Sequence, residues 1–332
     1  MTVITSPFDP TRVRARSRIG AYLRDAPAVA VVIITLLLIV AIFAPWIAPH
    51  DPLQPLPGAK INIGPAWKTG DWSAVLGTDF QGRDILSRVI YGTRISVLIG
   101  LVGTLVAGSI GLTVGVVAGY IGGIVDQVLM RIVDAWLAIP ALIFAVFLAM
   151  VFRDRLGIWS IVVILGAVFW TRYARVIRGE VLGLRERDFV RLAQVAGASR
   201  WRVMRRHIIP NVLNTWMVLA SLTVGVVIIL EASLSFLGIG VPPPDPAWGS
   251  MIAEARIMLI AGRWEPVVAP AVPIALTVFA FNLLGDWLRV RIDPTQRNLL
   301  AAGSGLAGRP EPKAALDAAT APVAPATTSS DS

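Results

Sequence analysis

Long apolar runs constrain this chain more than any other feature. No charged side chain occurs between Ala28 and Ala48. At about 1.5 Å per residue that stretch spans roughly 30 Å as a helix, the thickness of a bilayer's hydrocarbon core. Five more apolar stretches follow, at about 95–120, 125–152, 158–177, 212–239 and 267–288. Lipid offers no partner to backbone N–H and C=O groups, so segments of this length cross a membrane as helices. The sequence therefore predicts an all-α, polytopic membrane protein with six transmembrane helices. Composition agrees: 15% of residues are charged, against about a quarter in a soluble domain.

The first run reads as a retained span rather than a cleaved signal peptide. It is too long for a signal's apolar region, and Trp46 and Pro49 follow where a small-residue cleavage site would stand. The arginines set the orientation. Arg12, Arg14, Arg16, Arg18 and Arg24 precede the first span, and Arg289 and Arg291 follow the sixth. Between spans four and five, Arg185, Arg187, Arg191, Arg200, Arg202, Arg205 and Arg206 face only Glu180, Glu186 and Asp188. Basic loops stay on the cytoplasmic side, so both termini are expected there. Residues 1–27 read as a cytoplasmic tail, 28–294 as the membrane domain, and 295–332 as a mostly disordered cytoplasmic tail too poor in apolar residues to fold. The net charge of +9 fits this topology and an anionic lipid surface, with no nucleic-acid partner.

Within the spans, Gly111, Gly115 and Gly119 recur every four residues and share one helix face. That face lets another helix approach closely, and packing inside the chain is preferred over dimerisation. Pro140 is expected to kink the third span. Outside, a proline-rich stretch (Pro242, Pro243, Pro244, Pro246) leads to a short surface helix over 251–260, with Trp248 and Trp264 as interfacial anchors.

The basic loop carries more than charge. Asp188 to Ala196 reads as a helix interrupted by Gly197; Ser199 is a good N-cap for a second helix, Arg200 to Ile208, that Pro210 ends. On it Trp201, Met204 and Ile208 form an apolar stripe among arginines. Solvated positive charge explains the arginines but not the stripe, which needs an apolar cover. The loop thus reads as a docking element.

In this loop the chain resembles a known family. Gly197 and Pro210 have the spacing of the loop signature E-A-A-x3-G-x9-I-x-L-P of ABC importer permeases, with Arg191, Leu192 and Ala193 at the E-A-A positions and His207 and Ile209 at the I and L positions. Ala193, Gly197 and Pro210 match strictly; Arg191 departs from the family's Glu. LGTDFQGRDILSRVIYGTRIS (Leu76 to Ser96), DQVLMRIVDAWLAIPAL, DFVRLAQVAGASRWRVMRRHIIPN, EASLSFLGIGVPPPDPAWGSM and FNLLGDWLRVRIDP are similar to peptide-importer permeases of the DppC/OppC type, in the family's order. The resemblance implies a type I ABC importer permease fold in a bacterial inner membrane. It implies half of a translocation pore for di- or oligopeptides. It also implies partners: a second homologous permease, two cytoplasmic ATP-binding subunits and an extracytoplasmic substrate-binding protein. The ATPase-coupling loop would use Asp188, Arg191, Ala193, Gly197, Ser199, Trp201, Met204, Arg206, Ile209 and Pro210. Asp79, Gly82, Arg83 and Asp84 would serve docking or gating beside the binding protein; a solvated loop is the plainer alternative, since their spacing fits no EF-hand.

Charged residues inside spans are functional candidates because burying them in hydrocarbon is costly. Arg131 and Asp134 are spaced to pair on one face. Glu231 lacks a local cation and faces either the pore or the partner permease. Asn282 and Asp286, four apart, share a polar face. No catalytic motif is present: the two histidines, His50 and His207, lie on opposite sides, and neither H-E-x-x-H nor G-x-S-x-G occurs. Cysteine is absent, and no cofactor or metal site is expected. No G-x-x-x-x-G-K-[ST] phosphate cradle occurs, so ATP hydrolysis is expected on partner subunits. The alternatives left open are a related importer for nickel or another small solute, and an ion-coupled secondary transporter with Glu231 as its midplane carboxylate.

Overall fold

The computed structural model describes residues 27–58, 60–152 and 157–292. The predicted tails 1–27 (apart from Pro27) and 295–332, and the turn at 153–156, lie outside the described residues. The described residues are helical, with no strand among them beyond two isolated bridges, Pro55 with Arg83 and Thr78 with Asp84. In chain order the helices of eight residues or more are α1 (Ala28–Ile47), α2 (Ile85–Ile121), α3 (Gly123–Leu137), α4 (Ala141–Val151), α5 (Ile158–Arg185), α6 (Asp188–Val195), α7 (Arg200–Phe236), α8 (Trp248–Ile260) and α9 (Glu265–Ile292). Helices α1, α2, α5, α7 and α9 are each long and apolar enough to cross a membrane, and the bent pair α3–α4 brings the count to six. Residues up to Arg289 form one compact unit; of the second, 290–332, only the end of α9 is described.

Several helices run past the apolar stretches that announce them. Helix α2 starts ten residues earlier than hydropathy suggests because Asp84 caps it, accepting from the Ser87 N–H at 3.0 Å. Helix α5 carries on through Arg178 to Arg185. Hydropathy marks where lipid begins, whereas a helix ends where its caps and hydrogen bonds end.

The expected kink at Pro140 is a full break. Helices α3 and α4 meet at 91°, with Pro140 as the extended residue before α4. The Trp136 ring fixes the corner: its Nε1–H donates to the Ala167 carbonyl at 2.7 Å, and it meets Phe144 edge-on at 5.0 Å.

The core is built on the glycine face of α2. A Cβ on Gly111 would sit 2.3 Å from Tyr173 Cβ and 2.4 Å from the Trp170 carbonyl oxygen, and one on Gly115 would sit 2.7 Å from the Ala174 carbonyl. Helices α2 and α5 thus touch backbone to backbone, which only glycine permits. Around that contact Ile99, Leu165, Phe169 and Val227 are buried. The predicted intramolecular packing of the glycine face is what the structure shows.

Candidate functional site

Helix α6 ends at Ala196 with a paired closure: the Gly197 N–H donates to the Gln194 carbonyl and the Ala198 N–H to the Ala193 carbonyl, both at 3.0 Å. This closure needs a left-handed residue, which Gly197 supplies at φ +78°. Ser199 caps the next helix, its Oγ accepting from the Arg202 N–H at 3.4 Å.

After Ser199 the structure departs from the sequence expectation in two ways. Pro210 does not end a short helix. It lies in the first turn of the α-helical segment from Ile209, inside a stretch that runs from Arg200 to Phe236. A proline inside a helix clashes with the carbonyl four residues back. Here a wider π turn over Met204–Ile208 precedes it, with the Ile209 N–H bonded to the Met204 carbonyl. The Asn211 side chain donates to the His207 carbonyl at 2.6 Å.

The Trp201–Met204–Ile208 stripe is also split. Met204 and Ile208 are buried against Val116, Tyr120, Ile177 and Val181 of this chain's own helices, with Ile209 packed partly against the same cluster. Trp201 points the other way and is 65% exposed. The uncovered apolar surface is a different set, Phe189, Leu192, Val195 and Trp201, with Val195 at 87% exposure. Their signal was available in the sequence: Phe189, Leu192 and Val195 recur every three residues on α6, opposite buried Val190. A cleft of about 440 Å³ beside Trp201 is lined by Ser199, Arg202, Arg205 and Arg206. Asp188 opens α6 at its first position. Arg191, at the signature's Glu position, pairs with Glu186 at 2.5 Å. The Arg191 hydrogen bond holds the Glu186 carboxyl below its usual range.

Next to this loop, two ion pairs clamp α3 to α5. Arg178 grips Asp126 with two hydrogen bonds of 2.5 and 2.6 Å, and Arg175 pairs with Asp134. The expected Arg131–Asp134 pair is therefore corrected among the described residues: Asp134 turns to α5, and Arg131 is exposed. Helix α5 passes beside α3 and brings the Arg175 guanidinium onto the Asp134 carboxylate. Asn282 and Asp286 lie exposed one turn apart on α9.

At the opposite ends of these helices, the segment before α2 is not a solvated loop. Asp79, Arg83 and Asp84 are buried, and Gly82 turns the chain at φ +77°. Asp79 Oδ2 accepts from Arg83 Nε at 2.7 Å and also pairs with Arg88. Glu254 of α8 closes the ring, 2.9 Å from Arg83 and 3.0 Å from Arg88. Two cations and two anions are thereby gathered between α2 and α8, with Glu254 one-quarter exposed at the rim. His50 joins from the end of α1, its backbone N–H on Ser87 Oγ at 3.0 Å. Docking at this face would use neighbours of these residues rather than their buried side chains.

Glu231 sits five residues before the end of α7 and is completely buried in this chain's interior. It faces neither solvent nor an open face. Ser96 Oγ of α2 donates to its Oε2 at 3.2 Å and Ser235 Oγ to its Oε1 at 2.8 Å. No histidine-and-carboxylate cluster able to hold a metal occurs among the described residues.

A bundle of long apolar helices, one of them broken, with a basic loop running into a span, defines an integral membrane permease of the type I ABC importer fold. One chain of the MetNI methionine ABC transporter, solved in inward-facing conformations, superposes with a TM-score of 0.51 at 18% identity. The match covers 62% of this chain and 96% of that one, and at this identity the likeness concerns the fold. Residues 111–298 match the family described as binding-protein-dependent transport system inner membrane component, and residues 27–65 match the N-terminal TM domain of oligopeptide transport permease C. The glutathione transport system permease protein GsiD of Escherichia coli O6:K15:H31 is 40% identical over 265 residues, 80% of this chain and 85% of that protein. The dipeptide transport system permease protein DppC of Escherichia coli K12 is 42% identical over 267 residues, 80% of this chain and 88% of that protein. The chain belongs to the binding-protein-dependent transport inner-membrane component family, as an ABC importer permease of the DppC/OppC type. A permease of this kind works with ATP-binding and substrate-binding partners.

Proposed function

We propose that this chain forms half of the pore of an importer for di- or oligopeptides and related small peptides such as glutathione, and that it is driven by ATPase subunits seated on α6 and the start of α7. The uncovered patch of Phe189, Leu192, Val195 and Trp201 beside Arg202, Arg205 and Arg206 carries the reading. Apolar groups of that size on a loop otherwise made of arginines call for a protein groove lined with apolar residues and rimmed with acids. The permease names of the relatives support the peptide substrate. In the full assembly a second homologous permease supplies the other half of the pore, two ATP-binding subunits sit in the cytoplasm with both termini of this chain, and a binding protein delivers substrate from outside. The arginine distribution supports that orientation. ATP binding closes the ATPase pair and moves α7, which switches the pore between inward- and outward-facing states.

The complete complex reconstituted in proteoliposomes tests this. Leu192→Glu with Val195→Glu, and separately Trp201→Glu, are expected to leave membrane insertion intact. Both should remove co-purifying ATPase and ATP-dependent uptake of labelled dipeptide or glutathione. Unchanged uptake in both variants overturns the docking assignment; uptake of a metal ion or another small solute in place of peptides overturns the substrate.

A further inference from the structure

The helix that begins at the docking patch ends at a buried polar node. From Arg200 to Phe236, α7 is one continuous stretch, a rod of roughly 55 Å at 1.5 Å per residue. On its last turns Glu231 takes both seryl hydroxyls as donors, Ser96 from α2 and Ser235 from its own helix. Each hydroxyl oxygen in turn accepts a backbone N–H from farther along the chain. Ser96 Oγ takes the Trp248 N–H that opens α8, at 3.4 Å, and Ser235 Oγ takes the Val241 N–H, at 3.2 Å. The two carboxyl oxygens therefore join α7, α2, the connecting segment and α8 in one chain of hydrogen bonds.

Helix α8 is held to α2 by an aromatic ring and by ion pairs. Its Trp248 is fully buried, with Nε1–H donating to the Val89 carbonyl at 3.2 Å, and a Cβ on Gly92 would lie 2.9 Å from the Trp248 ring. Further along, Glu254 is held by Arg83 and Arg88. Helices α2 and α8 thus form one body at this end of the bundle. The rod also meets α8 backbone to backbone, a Cβ on Gly249 lying 2.3 Å from the Ala232 carbonyl oxygen, and Glu231 adds the directional tie from the rod to α2 through Ser96. A carboxyl is a costly choice if filling space were its whole task, because a buried acid without a cation loses solvation that an apolar side chain would not. Among the described residues no cation pairs with Glu231.

We propose that Glu231 is the positioning residue that passes movement of the α7 rod to the α2–α8 body on the far side of the membrane, through Ser96. This rests on the ATPase-driven reading above. A node of directional hydrogen bonds suits the task because it favours discrete arrangements over intermediate ones. The chemistry of transport lies elsewhere; the node decides whether a stroke at the docking patch reaches the outer face.

The test uses the complete reconstituted complex and reads substrate molecules moved per ATP hydrolysed. Ser96→Ala removes one hydroxyl and with it the bridge from α2. It is expected to assemble and hydrolyse ATP while transport per ATP falls about tenfold, the size of a typical coupling between sites. The triple variant Glu231→Leu, Ser96→Ala, Ser235→Ala removes the node without leaving an unpaired carboxyl or hydroxyl, and is expected to behave the same way. If transport per ATP equals that of the unaltered complex in Ser96→Ala, or if transport and hydrolysis fall in proportion, the node is structural only and the proposal fails. Should the triple variant not assemble, Ser96→Ala decides alone. Absence of ATP-driven transport by the unaltered complex would instead overturn the importer reading, so the two failures are distinct.

Discussion

Membranes expressing Gly111→Leu are expected to yield almost no folded chain, while Gly179→Leu should yield as much as the unaltered protein. Both glycines lie within long helices, but their surroundings differ. At Gly111 the first added carbon already falls 2.3 Å from Tyr173 Cβ and 2.4 Å from the Trp170 carbonyl, and the third neighbour, 2.9 Å away, is the Ala174 backbone nitrogen. Overpacking a core commonly costs about 1–3 kcal/mol when side chains can shift. Here two of the three obstacles are backbone, so no rotamer change relieves the clash and α2 must lift off α5. Helix association in lipid depends on close packing rather than on a hydrophobic driving force, so the separation is not compensated. A Cβ at Gly179 meets nothing within 4 Å. Detergent extraction followed by size-exclusion profiles of a fluorescent fusion measures both variants; a monodisperse Gly111→Leu peak at normal yield would refute the packing account.

The second large effect concerns the largely buried ring of Asp79, Arg83, Arg88 and Glu254. Arg88 has 2% of its side chain exposed and pairs with both acids. Removing one partner of such a buried arrangement typically costs about 3–5 kcal/mol, because the charges left behind cannot regain water. Arg88→Ala is therefore expected to lower the thermal unfolding midpoint of the purified chain sharply and to loosen α8 from α2. Lys60→Ala provides the contrast. Its partner Asp71, held well below the usual carboxylate range by the Lys60 hydrogen bond, lies at the surface with both side chains about one-third exposed. Exposed pairs contribute about 0–1 kcal/mol. Equal losses in the two variants would show that the ring is open to solvent.

Much of this architecture is legible in residue order alone, and the reason is physical. Hydrocarbon selects for uncharged stretches, so the spans declare themselves one by one. The glycine face of α2 and the left-handed position at Gly197 are likewise local: each needs only its own neighbours to be recognised. The features that residue order does not disclose depend on which helices meet. Asp134 finds Arg175 rather than Arg131 because α5 passes beside it. Glu231 meets Ser96 across 135 residues of sequence, and Arg83 meets Glu254 across 171. The apolar stripe at Trp201 differs from expectation for a related reason. Spacing places Met204 and Ile208 with Trp201 on an ideal helix, but Met204 sits beside buried Val203 and the π turn that follows rotates Ile208 further inward, leaving α6 to supply the uncovered apolar groups. Arg191 is a further case: its charge departs from the family signature, and its surface pairing with Glu186 shows how the reversed sign is accommodated.

The π turn at Met204–Ile208 amounts to a single surplus residue threaded into an otherwise regular spiral. Each residue of an ordinary helix rotates the heading of its successor by about 100°, so a surplus of one resets the angular phase between Trp201 and the membrane-embedded length of α7. Deleting a residue there would restore even winding and swing Trp201 about a quarter-turn around the rod's axis. The direction in which Trp201 faces is thus written as a phase offset, stored in five residues ahead of Pro210.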